Sequence, residues 1–146
     1  MVERMSERDA IVACIDPDAY GTGTYAGDVI DMLYFERVIF CVLVGDLGNV
    51  ATIDFAVQES ILTGGAFAAM SPVKAITQLT QAGSDDNKQV VVEVKADELT
   101  PGYRFLRGVL TVGGANSDAS MVALADTARW KPASNWDLAS VDEIVA

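Results

Sequence analysis

The sequence predicts an all-β fold, a sandwich or barrel of short antiparallel strands. Apolar residues recur with period two in several segments, turn residues interrupt them at near-regular intervals, and no long segment carries a convincing 3.6-residue period. Taken in order, residues 6–13 are ambiguous: Ser6 followed by acids suits a short helix cap, whereas residues 10–15 suit a short strand. Asp16-Pro17-Asp18 and Gly21-Thr22-Gly23 mark a long turn region. Residues 28–33 read as a strand. Residues 36–44 read as a central one, with Val38, Phe40, Val42 and Val44 on one face and Ile39, Cys41 and Leu43 on the other. Two apolar faces imply cover on both sides, from a second sheet, a neighbouring subunit or the terminal arms.

A turn at residues 45–49 precedes a clean alternation over residues 51–60, with Ala51, Ile53, Phe55 and Val57 inward and Thr52, Asp54 and Gln58 outward. Residues 67–70 and 74–79 read as short strands separated by Pro72, and residues 84–87 as an exposed turn. Val90, Val92, Val94 and Ala96 line one face of a further half-buried strand. Pro101-Gly102 punctuates the next turn, ahead of an apolar strand at residues 103–112. Residues 113–118 predict a hairpin into a strand at residues 120–129. The segment from residue 131 is polar and aperiodic, with Trp136 as its one large anchor and room for a turn of helix at residues 141–145.

The chain has 146 residues, 51% of them hydrophobic and 21% charged, enough for one core without metal or disulfide support. Ten basic against 21 acidic residues give a formal charge of −11. Nucleic-acid binding needs clustered Lys and Arg, so none is expected, and the acidic balance points partner surfaces elsewhere. Residues 1–9 lack the apolar core of a secretory signal, and the longest apolar run, residues 38–44, is too short to span a bilayer. A soluble protein made in a cytoplasm, with no membrane partner, is the expectation.

Histidine is absent, which excludes Ser-His-Asp and Cys-His catalysis and imidazole zinc sites. Two cysteines, Cys14 and Cys41, cannot make an all-Cys zinc site; they read as reduced thiols, and sequence leaves a bridge between them open. Asp16 with Asp18, and Asp85-Asp86-Asn87, offer carboxylates for Ca²⁺ or acid–base work, but EF-hand spacing is lacking and turn formation explains them. Neither Gly21-Thr22-Gly23 nor Gly113-Gly114 has a phosphate-loop context. No enzyme activity, cofactor or metal is therefore expected.

Arg104, Arg107 and Arg129 are cations in or beside strands of an acidic protein, paired either with a partner subunit or with this chain's own carboxylates. Trp130 and Trp136 serve either as interface anchors or as packing on the sandwich.

Phe55-Ala56-Val57-Gln58-Glu59-Ser60 before a Gly-containing loop and Phe67, and Tyr103-Arg104-Phe105-Leu106-Arg107-Gly108-Val109-Leu110-Thr111-Val112-Gly113-Gly114 leading to Ala128-Arg129-Trp130-Lys131-Pro132, resemble the strands and turns of tailed-bacteriophage head decoration (cement) proteins. The resemblance covers about two-thirds of the chain, residues 28–132. This sequence has Ile61-Leu62-Thr63-Gly64-Gly65 where those proteins often carry Asp-Gly. The resemblance implies a single jelly-roll-like antiparallel β-sandwich over residues 1–146, with a core at about 26–130 and arms at 1–25 and 131–146. It implies a virion location on the capsid exterior after assembly in the host cytoplasm. It further implies contact with the major capsid protein, and association with itself as a homodimer or homotrimer. The alternatives are a head–tail neck or tail component and a carbohydrate-binding module using Tyr20, Tyr25, Trp130 and Trp136.

Overall fold

A computed structural model describes residues 2–145. After a one-turn helix α1 (Met5–Arg8), the strands are β1 (Ala10–Tyr20), β2 (Gly23–Ala26), β3 (Ile30–Asp31), β4 (Phe35–Leu47), β5 (Thr52–Ser60), β6 (Ala68–Ala69), β7 (Leu79–Thr80), β8 (Gln89–Lys95), β9 (Phe105–Gly113) and β10 (Ser117–Ala128). One sheet has the order β1-β10-β4-β8; the other runs β2-β9-β5-β6, with β3 also on β9 and β7 also on β5. All pairings are antiparallel.

The pairs nest. β1 joins β10, β2 and β3 join β9, β4 joins β8, and β5 joins β6 and β7. A long hairpin of four paired elements, rolled so that successive strands fall in opposite sheets, is a jelly roll. The expected all-β jelly-roll sandwich is the fold observed.

The core lies between the sheets. Val38, Phe40 and Val42 from β4 and Met121 from β10 face Ile53, Phe55 and Val57 from β5 and Leu106 and Leu110 from β9, all fully buried. The Phe40 and Phe55 rings join the two layers at 5.8 Å between centroids. β10 turns Ala119, Ala123 and Ala125 inward. These small residues leave room for the large ones on β4, the interdigitation that close packing requires. Each fully buried large side chain contributes about 1.5–3 kcal/mol before entropy.

The rolled topology corrects one expected connection. Residues 113–118 do not close a hairpin, because β9 and β10 lie in different sheets. The chain crosses the sandwich there, as it does after β4. The two crossings touch: a Cβ at Gly114, whose φ is +77°, would stand 2.1 Å from the Val50 carbonyl oxygen. Only glycine fits that backbone and that gap.

The N-terminal arm expected at residues 1–25 is also corrected. β1 is an eleven-residue strand at the end of the first sheet, with Ala10, Val12, Ala13 and Ile15 buried, and β2 belongs to the second sheet. The Asp-Pro-Asp and Gly-Thr-Gly signals mark a register shift between Ile15 and Asp18 and the step between sheets, rather than one long turn. Arg4, not Ser6, caps α1, its N–H donating to Glu7 Oε2 at 2.9 Å. Met1 and Ala146, the outermost residues of the two expected arms, lie outside the described residues.

The segment after β10 lies back on the domain. Ala133 N–H donates to the Glu7 carbonyl at 2.8 Å and Asp137 N–H to the Ile11 carbonyl at 2.9 Å, while Lys131 pairs with Glu3 at 2.7 Å. The expected C-terminal arm is thus a strap along α1 and β1. Its turn falls at Asp137, whose carbonyl accepts from Val141 N–H, ahead of residues 141–145.

Of the strand expected at residues 28–33, only Ile30–Asp31 pairs. At residues 67–70 only Ala68–Ala69 does, and residues 74–79 are reduced to an Ala56–Ala75 bridge and β7. The turn at residues 84–87 is tied down: Asp86 Oδ1 accepts from Leu47 N–H at 2.8 Å and Asp85 Oδ2 from Thr80 N–H at 2.9 Å. Cys14 and Cys41 are free and flank Val122 in one row across β1, β10 and β4. Two strand spacings, about 9–10 Å, exceed the reach of a disulfide.

Candidate interaction surface

The link from β3 to β4 puts an exposed Leu33 and a half-buried Tyr34 on a turn, where polar residues are usual. Asp31 stabilises the turn by accepting Leu33 N–H at 3.0 Å. The same carboxylate takes Arg104 from the start of β9 in a two-pronged pair, Nε to Oδ1 at 2.6 Å and a terminal nitrogen to Oδ2. The Arg104 backbone is fixed as well: its N–H donates to the Ser60 carbonyl, and its carbonyl accepts from Met32 N–H. The guanidinium lies 5.1 Å from the Phe105 ring centre. The Asp31 hydrogen bond chiefly, with its charge and that of nearby Tyr34, holds Arg104 above its ordinary pKa despite some desolvation.

The end of β10 supplies the other half. Arg129 N–H donates to the Tyr34 carbonyl at 2.9 Å, which places the next residue, Trp130, against the Tyr34 ring. The two rings meet edge to face at 5.9 Å and 67°. Trp130 nevertheless remains 58% exposed, and Leu33 42%. A tryptophan held by a tyrosine at one edge and open on the rest of its surface, with an arginine alongside, has the composition that dominates protein interfaces.

Three of the five residues singled out in the sequence therefore gather near Tyr34: Arg104, Arg129 and Trp130. The other two do not. Arg107 lies on the outer face of the second sheet, 4.4 Å from the Phe67 ring centre, with Nε donating to Gln58 Oε1 at 2.9 Å. Trp136 packs against this chain's own core, its indole N–H donating to the Ala133 carbonyl at 3.3 Å. Sequence reasoning missed Asp31, Leu33 and Tyr34, because it placed residues 28–33 in a strand. The signal available was a Met-Leu-Tyr run next to an acid, too apolar for an ordinary turn.

The strap builds a second polar group. Cys14 Sγ is 2.9 Å from Ser140 Oγ, which donates to Asp137 Oδ2 at 2.7 Å, and Sγ donates to Asp16 Oδ1 at 3.3 Å. Cys14, Asp28 and Asp137 bring potential ligand atoms within 4.8 Å of one another. Burial first, and then the hydrogen bond to Asp16 and the nearby carboxylate charges, push the Cys14 thiol above its usual pKa, against an opposing bond from Ser140. Of the four aromatics considered for a glycan groove, Tyr20 and Tyr25 meet each other at 4.4 Å at one end of β10, Trp130 meets Tyr34 at the other end, and Trp136 packs against the chain's own core.

No family model and no curated protein sequence matches the chain. Among solved structures it is similar to a carbohydrate-binding module from the β-sandwich superfamily (TM-score 0.44, 10% identity, 75% of this chain and 43% of the other). It is similar to a structure of infectious bursal disease virus Gx strain (TM-score 0.45, 10% identity, 87% and 34%). A third is Desmodium yellow mottle tymovirus (TM-score 0.38, 9% identity, 92% and 90%). The chain spans less than half the length of the first two. These likenesses leave function to the chain's own surface.

Proposed function

We propose that the chain is a non-catalytic structural protein of a tailed-phage head, a decoration protein that binds the outer surface of the shell and stabilises the lattice of the major capsid protein. The observation that carries this reading is the exposed Trp130, held edge to face by Tyr34 on the jelly roll, with the exposed Leu33 and the Asp31–Arg104 pair on the same β3–β4 link. The two sequence stretches that resemble decoration proteins are paired neighbours, β5 with β9, and the second begins at this surface. A protein that binds the assembled lattice and not its separated subunits stabilises the lattice by mass action. Burial of one anchoring tryptophan accounts for about 2 kcal/mol or more of such a contact.

The test is rebinding to particles stripped of the protein. Trp130→Ala is expected to bind about 30-fold more weakly or worse, with an unchanged far-UV spectrum. Rebinding equal to wild type would remove the surface from the account. The second reading, a glycan-binding module, is favoured by the outer face of the other sheet. There Thr24 meets Thr111 at 3.4 Å, Gln78 donates to Asp54 at 2.7 Å, and Arg107 lies over Phe67. Glycan-array binding that disappears in Arg107→Ala would put that reading first. A neck or tail position would show as only a few copies per particle.

A further inference from the structure

A sheet ends in strands whose outer backbone groups need partners. The second sheet ends in short pieces: β2 has four residues, and β3, β6 and β7 have two each. The first sheet ends in two long strands, β1 and β8. β1 is covered by its own chain. Asp137 of the strap donates its N–H to the Ile11 carbonyl at 2.9 Å, and Asp28 Oδ2 accepts from Cys14 N–H at 3.2 Å. β8 has no such cover.

Val44 N–H donates to the Lys88 carbonyl at 2.9 Å, so Val90, Val92 and Val94 also turn their backbone groups toward β4. Gln89, Val91 and Glu93 turn theirs outward. Among the described residues their N–H groups have no hydrogen-bond partner, and of their carbonyls only that of Glu93 has one, Lys74 Nζ at 3.3 Å. The open stretch is bounded on both sides. Lys95 N–H donates to Glu98 Oε2 at 2.9 Å, and Asn87 N–H to the Gly45 carbonyl at 3.0 Å. Val91, at its centre, is 54% exposed. The second sheet does not overhang this edge. β4 faces β5 through Phe40 and Phe55, and the bonds from Val57 N–H to the Lys74 carbonyl and from Ile76 N–H to the Phe55 carbonyl put residues 74–76 one strand spacing beyond β5, as β8 is beyond β4.

We infer that the open edge of β8 pairs with β8 of a second copy of the chain, antiparallel about a two-fold axis that passes beside Val91 perpendicular to the sheet. Such an axis sets each strand against itself in reverse. Val91 then meets Val91, and Gln89 meets Glu93 in both directions. These are the residues with outward backbone groups, and each opposed pair exchanges both of its N–H···O bonds. This register alone uses every open group. A slide of two residues sets Gln89 against Lys95 or Glu93 against Asn87, whose N–H groups are already bound. It also sets Glu93 against an uncharged residue, where like charges opposite each other would destabilise the pair. Lys74 need not leave, because the Glu93 carbonyl has a second lone pair. The two four-stranded sheets become one continuous sheet. An edge contact is small, so the dimer dissociates on dilution. The inference stands apart from the proposed capsid contact, since Trp130 follows β10 and takes no part in the β8 edge.

Residue-resolved amide hydrogen exchange on the full chain, at about 10 μM and about 1 mM, tests it. The Gln89, Val91 and Glu93 amides are expected to exchange about ten-fold more slowly or better at the higher concentration, while Val90, Val92 and Val94 stay protected at both. Sedimentation equilibrium over the same range is expected to show a reversible monomer–dimer equilibrium. Val91→Pro removes an outward N–H, which an edge strand tolerates, and is expected to be monomeric with an unchanged far-UV spectrum. Val91→Thr keeps that N–H and is expected to dimerise like wild type, as is Trp130→Ala. A wild-type monomer at every concentration overturns the inference. So does a dimer in which those three amides stay unprotected, or one that persists in Val91→Pro. If Val91→Pro does not fold, the wild-type exchange pattern decides alone. Protection of the three amides only on phage particles would assign the edge to a strand of another protein and overturn the self-pairing.

Discussion

Gly108 tests the packing between the sheets. It lies in β9 opposite Val57, and its missing side chain makes room for the Phe55 ring. A Cβ at residue 108 would stand 2.6 Å from Phe55 Cζ, 2.9 Å from Cε2 and 3.2 Å from Met121 Cε. Ordinary carbon contacts begin near about 3.5 Å, so the ring must retreat by roughly 1 Å. It has nowhere to go, because Phe40 backs it at 5.8 Å between centroids and both rings are fully buried. Overpacking of this kind costs about 1–3 kcal/mol. That figure is net of burying the new methyl, so Gly108→Ala is expected to lose about 1–3 kcal/mol. At this chain length that lowers the melting temperature by about 3–9 °C. Calorimetry and urea titration measure it, and Phe55→Leu in the same chain should recover part of the loss. A Gly108→Ala protein as stable as wild type would refute the account of how β9 meets β5.

Three further outcomes are expected. Val50 is a β-branched residue at φ +59° and is exposed, so Val50→Asn should raise stability by about 1 kcal/mol in urea denaturation; an unchanged midpoint would contradict the backbone at that crossing. Glu98 is held below its ordinary pKa by the Lys74 hydrogen bond first and the Lys95 backbone N–H second. A depressed folded pKa stabilises fully above the unfolded value and is lost as pH falls through the folded one. Glu98→Gln should therefore cost about 0.5 kcal/mol at neutral pH, a partly exposed pair's value, and nothing in strong acid; an equal cost at both would contradict it. Cys14, its thiol raised by burial and by Asp16, should alkylate slowly at neutral pH and faster in Asp16→Asn, as followed by peptide mass spectrometry. A rate unaffected by that substitution would break the link to Asp16.

The long half-buried strands were legible because their alternation reports burial directly: Ile53, Phe55 and Val57 face inward as the sequence predicts. Adjacency was not legible. Gly113-Gly114 reads as a hairpin turn, but local chemistry cannot say whether the next strand stays in the same sheet, and here it changes sheet. β1 was hidden by its Asp-Pro-Asp tail, which ends the apolar pattern midway along the strand. The candidate surface was half legible. Arg104, Arg129 and Trp130 were visible as charges and an aromatic at strand ends, whereas Tyr34 and Leu33 acquire their role only when Arg129 hydrogen-bonds across to the β3–β4 link. The apolar outer face of β4 was visible too. Sequence could not distinguish cover by a sheet, an arm or another subunit, and the fold leaves Ile39, Cys41 and Leu43 outside the core.

The most direct test of the proposed role is the copy number of this chain in purified phage particles, by quantitative mass spectrometry against the major capsid protein. The account predicts a number comparable to that of the shell subunit. A handful of copies would contradict lattice-wide decoration and favour the neck or tail, and complete absence would contradict a virion role.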